Sequence, residues 1–299
     1  MTWRIVTISK SAKLELKLNQ MLIRDDEIRK INISEISVLI IENTAVALTA
    51  ALLCELSKQK IKVIFCDEKR NPYGELIPYY GSHDTSDKVR DQTKWSDRIK
   101  GTMWTLIVSE KIYQQKSLLE EFGCSEALLL GSYIDEIKFN DSTNREGHAA
   151  KVYFRSLFGN DFSRDVDCTV NSCLNYGYSI ILSAVNREIS SLGYITQLGI
   201  FHDNASNRFN LGSDIMEPLR PFVDRCVKNM KAEKFGSEEK KVLMDILNEQ
   251  VTIEGKRNYL NNALKIYVKS VFNAITMNDP EQIRFCKHET QVHESDRIL

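Results

Sequence analysis

Three side chains in this sequence could together hold a divalent cation. His202 precedes a polar loop rich in Asn and Ser, and Glu217 stands on the opening turns of a predicted helix. The best upstream candidate for a third ligand is Glu146. Two carboxylates and one neutral imidazole suit Mg²⁺ or Mn²⁺, and the absence of cysteine from the set argues against structural zinc. The alternative is structural: His202 caps a loop, and Glu217 is an ordinary acid in the first turn of a helix.

Two further side chains lie close to Glu217 in the sequence and could support such a site. Asp214 stands three residues earlier, which leaves open which of the two acids contacts the metal; we expect Glu217 to do so. Arg220 lies about one helical turn after Glu217 and could hold either a phosphate or the carboxylate itself. His148 is two residues from Glu146, about 200° around a helix, so it is predicted to face away from the site.

A metal ion held in this way can act on a phosphodiester. It neutralises charge on the non-bridging oxygens and lowers the pKa of a bound hydroxyl or water. Attack by water would cleave a strand, whereas attack by a DNA 3′-hydroxyl would exchange one phosphodiester for another. The residues alone leave the nucleophile open. Nucleotide hydrolysis is disfavoured, because the sequence contains no GxxxxGK[ST] string.

Three segments of the sequence carry a resemblance to a known family. They are NREGHAAKVYF, NSCLNYGYSIILSAVNREI and LGIFHDNASNRFNLGSDIMEPLRPFVDR. In their order and spacing the chain resembles the CRISPR adaptation integrase, the catalytic endonuclease subunit of the spacer-acquisition complex, in its type II form. The resemblance implies that Glu146, His202 and Glu217 are the catalytic metal ligands. Many family members carry Asp where this chain has Glu217.

The resemblance also implies a reaction and a set of partners. The 3′-ends of a short captured DNA duplex would attack the boundaries of a CRISPR repeat, which is spacer acquisition in antiviral defence. A homodimer is implied, with two dimers bridged by a dimer of the small second adaptation subunit into a heterohexamer. An accessory DNA-end-binding ring protein and the RNA-guided effector are further implied partners. Two alternatives stay open: a metal-dependent structure-specific nuclease without an integration role, and a non-catalytic DNA-binding scaffold.

Composition is that of an ordinary globular protein. The net charge of the 299 residues is −1, so DNA would have to be held by a local patch. The best candidate patch is the helix face with Arg225, Lys228 and Lys231, for which the alternative is a solvated helix face. The sequence contains no predicted membrane span, no export signal at the N-terminus and no CxxC pair among seven cysteines. We therefore expect a cytoplasmic protein.

The predicted secondary structure that must position these residues changes along the chain from strands to helices. Alternation over residues 13–18 and the apolar run 37–41 predict strands, whereas 44–60 predicts a helix. We predict an α+β fold with a small N-terminal β-sheet domain that has one helix. The predicted parts are a β-rich domain over 1–74, which the resemblance implies to be the dimerisation domain, a linker over 75–86, an all-α catalytic domain over 87–278 and a mobile tail over 279–299.

Within the helical part, three positions matter for the site. Apolar residues recur at helical spacing from Val166 to Ile189, and Gly193 is expected to end this central helix. It would carry Asn171, Asn175 and Tyr178 close to the site. Residues 141–144 are predicted to cap the helix that carries Glu146, and the helix that carries Glu217 is predicted to start around 213–220.

Overall fold

The computed structural model describes residues 4–68, 70, 72–76 and 84–288. Strands dominate the first part of the chain and helices the second, which confirms the predicted fold class. The predicted linker lies mostly at 77–83, outside the described residues. No helix in the described ranges is both long and apolar enough to cross a membrane.

The N-terminal domain contains two sheets rather than one. Its described strands are β1 (Arg4–Ile8), β2 (Lys13–Lys17), β3 (Gln20–Arg24), β4 (Ile28–Asn32), β5 (Ile36–Ile41), β6 (Ala47–Leu48), β7 (Lys62–Cys66) and β8 (Pro72–Glu75). The first sheet has the order β1-β5-β7-β8, in which β1, β5 and β7 are parallel. The second has the order β4-β3-β2-β6, in which β2, β3 and β4 are antiparallel.

One helix, α1 (Ala50–Lys58), connects the parallel strands β5 and β7. Its N-cap is Thr49, whose hydroxyl accepts a hydrogen bond from the Leu52 N–H at 3.4 Å. The helix begins later than the predicted 44–60, because residues 47 and 48 pair with β2 as strand β6. The prediction of a single packed helix in this domain is confirmed for its described part.

Strand β5 joins the two domains through a shared core. All six of its residues are buried, because both faces of the first sheet are covered. Leu39 and Ile41 face the core of the N-terminal domain, whereas Val38 and Ile40 belong to the large core of the helical domain. The two domains are therefore packed against each other through buried apolar side chains.

Helices form most of the rest of the chain. In the described part from residue 84 onward they are α2 (Thr85–Gln92), α3 (Asp97–Glu121), α4 (Ala127–Asp135), α5 (Arg145–Phe158), α6 (Thr169–Ser191), α7 (Asn210–Met216), α8 (Arg220–Met230), α9 (Ser237–Met244) and α10 (Leu260–Met277). The predicted central helix is α6, and most of its residues are buried. Gly193 follows it with φ of +88°, a conformation that suits a glycine after a helix end.

The helical domain also contains a small sheet, so its prediction as all-α was wrong in this detail. Strands β9 (Gln250–Ile253) and β10 (Lys256–Tyr259) form a hairpin. The two turn residues, Glu254 and Gly255, both have positive φ, as the tight two-residue hairpin turn requires. Strand β11 (Lys287–His288) pairs with β9. These strands are too short to show a clear alternation in the sequence.

The first half of the predicted mobile tail is packed. Cys286 is buried at 2% exposure, and β11 completes the small sheet. The ring of His288 stacks on Phe222 of α8, with 3.7 Å between ring centroids. The prediction of mobility was therefore wrong for residues 279–288, whereas 289–299 lie outside the described residues.

Candidate metal centre

Glu146 is positioned by a capped helix start. The Asp141 carboxylate accepts hydrogen bonds from the N–H groups of Arg145, at 2.8 Å, and of Glu146, at 3.0 Å. This agrees with the prediction that residues 141–144 cap the helix. The Glu146 side chain is 29% exposed and lies at an open side of the site. His148 lies beside the ring of Tyr133, with 6.4 Å between ring centroids, in keeping with its predicted orientation away from the site.

Glu217 stands at the break between two helices. Helix α7 ends at Met216, and residues 217–219 form a short 3-10 turn before α8 begins. Pro218 and Pro221 occupy early positions of the turn and of α8, where a missing N–H costs little. The helical region thus starts at Asn210 rather than around 213–220. This break turns the Glu217 side chain into the interior, where it is 6% exposed.

Lys111 lies between the two acids, and sequence analysis missed it. Its ammonium forms ion pairs with Oε1 of Glu146 and, at 2.6 Å, with Oε2 of Glu217. A signal for it was present in the sequence. Met103 and Ile107 are buried on α3, and Lys111 continues their spacing of four residues. A lysine on the apolar face of a helix is unusual without a partner, and here it has two.

The charges at this position are strongly coupled. Burial alone would raise the pKa of Glu217, but the Arg220 guanidinium and the Lys111 ammonium outweigh it and lower that pKa to about 2. Burial alone would lower the pKa of Lys111, but the carboxylates of Glu217 and Glu146 raise it instead. Glu217 is therefore anionic and Lys111 cationic at neutral pH. Nε of Arg220 donates to Oε1 of Glu217 at 3.0 Å, so in this structure Arg220 holds the carboxylate.

Asp214 positions His202. Its Oδ1 lies 2.5 Å from Nδ1 of the imidazole and also accepts the His202 N–H at 3.1 Å. Its Oδ2 accepts the N–H groups of Ile200, at 2.6 Å, and Phe201, at 3.0 Å. The Asp214 side chain has no exposed surface. The hydrogen bond that the Asp214 carboxylate accepts from the imidazole raises the pKa of His202. Because Nδ1 is used in this contact, Nε2 is the ring nitrogen left for a metal.

An aromatic pair supports the same loop. Phe201 is stacked on Trp104 of α3, with 4.3 Å between ring centroids and an angle of 1° between the rings. Trp104 also meets His202 edge-on, at 5.7 Å between ring centroids. The loop that carries His202 is therefore held both by a buried carboxylate and by the buried side of α3.

These side chains fit a hard divalent cation. Oε2 of Glu217 is buried and makes an ion pair, but no hydrogen bond of acceptable geometry. Glu146 faces the same ammonium, and His202 is near enough to lower the pKa of Glu217. Within the described residues, no three His, Cys, Asp or Glu side chains already stand at metal-binding distance from one another. The donors suit Mg²⁺ or Mn²⁺, and Lys111 now lies between the two carboxylates.

A buried acid lies behind Arg220. The Tyr153 hydroxyl donates to Oδ2 of Asp224 at 2.8 Å, and the Tyr178 hydroxyl donates to Oδ1. Burial raises the pKa of Asp224 to about 6. The Arg220 guanidinium lies 4.7 Å from the centroid of the Tyr178 ring. Tyr178 therefore contacts the side chain that holds Glu217, in line with its predicted place near the site.

Asn171 and Asn175 have a different role from the one predicted. Their side-chain oxygens accept hydrogen bonds from the guanidinium of Arg164, at 2.5 and 2.6 Å. That guanidinium lies 5.3 Å from the centroid of the Tyr178 ring. The two amides thus orient Arg164, and Arg164 contacts the ring of Tyr178, which lies near the site.

The predicted basic patch is partly occupied by contacts within the chain. Nε of Arg225 donates to Oε1 of Glu121 at 2.9 Å, and the Lys228 ammonium donates to the carbonyl of Leu157. Lys231 is exposed at the end of α8. The first two contacts favour the alternative of an ordinary helix face, and DNA binding by these residues stays a prediction.

Solved structures with this architecture define its class. The chain superimposes on a casposase bound to integration product with a TM-score of 0.76 at 18% identity, covering 100% of this chain and 96% of that one. It also matches a CAS1 protein from Thermotoga maritima with a TM-score of 0.69 at 17% identity, covering 92% and 97%. At these identities the likeness shows the fold alone: a strand-rich domain followed by a helical one.

Sequence comparison then identifies the family. The family described as CRISPR associated protein Cas1 matches residues 5–255. A relative from Neisseria meningitidis serogroup C, named CRISPR-associated endonuclease Cas1, is 33% identical over 291 residues, covering 95% of this chain and 96% of its own length. A relative from Francisella tularensis subsp. novicida is 25% identical over 279 residues, covering 85% and 87%. The chain belongs to the Cas1 family, and the resemblance noted in the sequence is confirmed.

Proposed function

We propose that this chain is the catalytic subunit of a CRISPR adaptation complex and inserts short DNA duplexes into a CRISPR array. The observation that carries the proposal is the approach of Glu146 and Glu217 to one cation position, with His202 held beside them by a buried carboxylate. Membership of the Cas1 family supports it, as does the fold shared with a casposase that is bound to integration product.

The residues divide the work as follows. Mg²⁺ or Mn²⁺, when bound, neutralises charge on the phosphate and lowers the pKa of the attacking 3′-hydroxyl. Glu146, Glu217 and Nε2 of His202 would hold the ion. Asp214 accepts a hydrogen bond from Nδ1–H of His202, which fixes the neutral tautomer in which Nε2 is unprotonated and can face the cation. Arg220 keeps Glu217 anionic. The DNA approaches from the side of Glu146 and His202, whose side chains are the more exposed, at 29% and 40%.

The proposal includes partners. We expect double-stranded DNA, both captured fragment and repeat, a second copy of this chain, and the small second adaptation subunit. A complex titled Cas6-RT-Cas1–Cas2 contains a chain of which one part has the same fold, with a TM-score of 0.72 at 17% identity, covering 96% of this chain and 36% of that one. The accessory ring protein and the RNA-guided effector stay expectations from the resemblance.

A strand-transfer assay with the second subunit, a short duplex with free 3′-ends and a repeat-containing plasmid tests the function. Joined product supports integration. Cut product without joining would favour the structure-specific nuclease, and neither product, despite DNA binding, would favour the scaffold.

Substitution of the ligands tests the site. We expect Glu146→Gln, His202→Ala and Glu217→Gln each to lower joining more than about 100-fold, because loss of a partner that only orients a ligand already costs roughly 10–100-fold. Glutamine at position 217 keeps the volume and can still accept the Arg220 hydrogen bond, so the fold should be retained. His148→Gln, on the same helix as Glu146 but beside Tyr133, is the matched control.

A further inference from the structure

Lys111 is unusual among the charged side chains of this site, because its ammonium is buried. It extends from the apolar face of α3 and is 7% exposed, although burying an ammonium is costly unless other charges compensate. Its nitrogen is shared by two carboxylates from distant parts of the chain, Glu146 and Glu217. A buried cation between two acids is the arrangement that a metal ion would also adopt.

We infer that Lys111 is a tethered cation that takes the metal position in the metal-free protein, so that a divalent ion binds by exchange with its ammonium. This rests on the proposed metal site. The residue is a positioning residue: it keeps the two acids together before metal arrives, and it sets how tightly metal is then held.

The need for such a cation follows from the charges. Without Lys111, two carboxylates would face each other in a largely buried space, and like charges at short range disfavour ionisation of both. Arg220 meets only part of this need, because its hydrogen bond goes to Oε1 of Glu217. The Lys111 ammonium forms ion pairs with Oε2 of Glu217 and Oε1 of Glu146.

Lysine suits exchange better than arginine would. Its ammonium is a point charge on a flexible stem of four carbons, whereas a guanidinium binds carboxylates in a fixed fork. Glu146 is the more exposed of the two acids, so the ammonium can move toward solvent along that side. The apparent metal affinity is then the intrinsic affinity multiplied by the fraction of molecules in which the ammonium has left.

Mn²⁺ binding to the full chain, measured by calorimetry and by the loss of the free-ion electron paramagnetic resonance signal, tests this. In Lys111→Met the competitor is gone and the stem volume is kept. We expect Mn²⁺ to bind this variant about tenfold tighter than wild type, within the 5- to 150-fold range of typical coupling between sites. In EDTA the variant should unfold at a lower temperature than wild type, and Mn²⁺ should raise its unfolding temperature by more.

Two further variants keep the test decisive. Lys116→Met, on the same helix but paired with Glu120 at the surface, should leave Mn²⁺ affinity unchanged. Lys111→Arg retains the charge and should fold even if Lys111→Met does not; its fork should weaken Mn²⁺ binding. Unchanged or weaker Mn²⁺ binding in Lys111→Met, or unchanged binding in Lys111→Arg, overturns the inference.

Failure of the metal site itself gives a different result. The single substitution Glu217→Gln, with Lys111 retained, should abolish the Mn²⁺ binding that wild type shows. If that event persists, the ion lies elsewhere, and both the proposed site and the exchange are overturned. If it disappears in Glu217→Gln but is unaltered in Lys111→Met, the site stands and only the exchange fails.

Discussion

Oδ1 of Asp214 lies 2.5 Å from Nδ1 of His202, and the remaining acceptor positions of this buried carboxylate are taken by three backbone N–H groups of the same loop. This contact gives Asp214 a different role from Glu217, although the two acids are only three residues apart in the sequence. Asp214 orients the imidazole, and Glu217 faces the cation position. The sequence left their roles open, and the structure places Asp214 on His202 and Glu217 on Lys111.

Replacing Asp214 should therefore be damaging. In Asp214→Asn an amide group would face backbone N–H donors, so the loop that carries His202 should lose its order. We expect Mn²⁺ affinity and strand transfer to fall about 10–100-fold, the usual cost of losing the partner of a metal-bound histidine. Asp203→Asn, at the exposed residue next to His202, is the control. Wild-type metal affinity in Asp214→Asn would show that the contact is not needed.

The buried carboxyl of Asp224 should make stability depend on pH. Its pKa in the folded protein is raised to about 6 from an ordinary 3.8, so between these values the folded state keeps a proton that the unfolded chain releases. Stability contributed by this group is then lost as pH rises. The free energy of unfolding of Asp224→Asn, relative to wild type, should shift in favour of the variant by about 2 kcal/mol between about pH 4 and pH 7.

Urea unfolding of the two proteins across that pH range measures the difference. Other titrating groups are common to both and cancel. A difference that does not change with pH would mean that Asp224 is ionised in the folded protein throughout.

The basic face of α8 remains the predicted contact with DNA. Replacing Arg225, Lys228 and Lys231 with Ala should flatten the slope of log affinity against log salt by roughly two to three units, since each phosphate contact contributes about 0.9. Discrimination between DNA sequences should stay the same, because phosphate contacts do not read bases. Lys30→Ala, on exposed β4, is the control.

Thermal unfolding of the same variants distinguishes the alternative. Arg225 and Lys228 hold Glu121 and the Leu157 carbonyl. A triple variant that is less stable but has an unaltered salt slope would show that the face is structural.

The two domains should unfold together. Val38 and Ile40 of β5 share a buried core with the helical domain, and the Arg187 guanidinium donates to the Ser37 carbonyl at 3.2 Å. We expect a single calorimetric transition in the intact chain, and we expect Ile40→Ala to lower stability by about 2–5 kcal/mol. Ile28→Ala, at an exposed position of β4, should have little effect. Two separate transitions, with Ile40→Ala shifting only one, would show independent domains.

Local patterns in the sequence determined much of this protein. Alternation and helical spacing predicted the strand-rich first part, the helical second part and the central helix, because burial of one face imposes a period on the chain. The three segments around Glu146, the central helix and His202 to Glu217 were enough to place the chain in its family, and the resemblance to that family supplied the predicted ligands.

Only the tertiary structure decided how those residues meet. The short strand β11 forms because it pairs with β9, more than thirty residues earlier in the sequence, and no local pattern predicts such a pairing. Likewise Asp214 and Glu217 look equivalent in sequence. Because the helix breaks at Pro218, Asp214 faces His202 and Glu217 faces Lys111 of α3. Lys111 enters the site because α3 packs against both acid-bearing elements. Two charged side chains form an ion pair because they lie close together in space. The spacing of residues within one helix does not encode that distance.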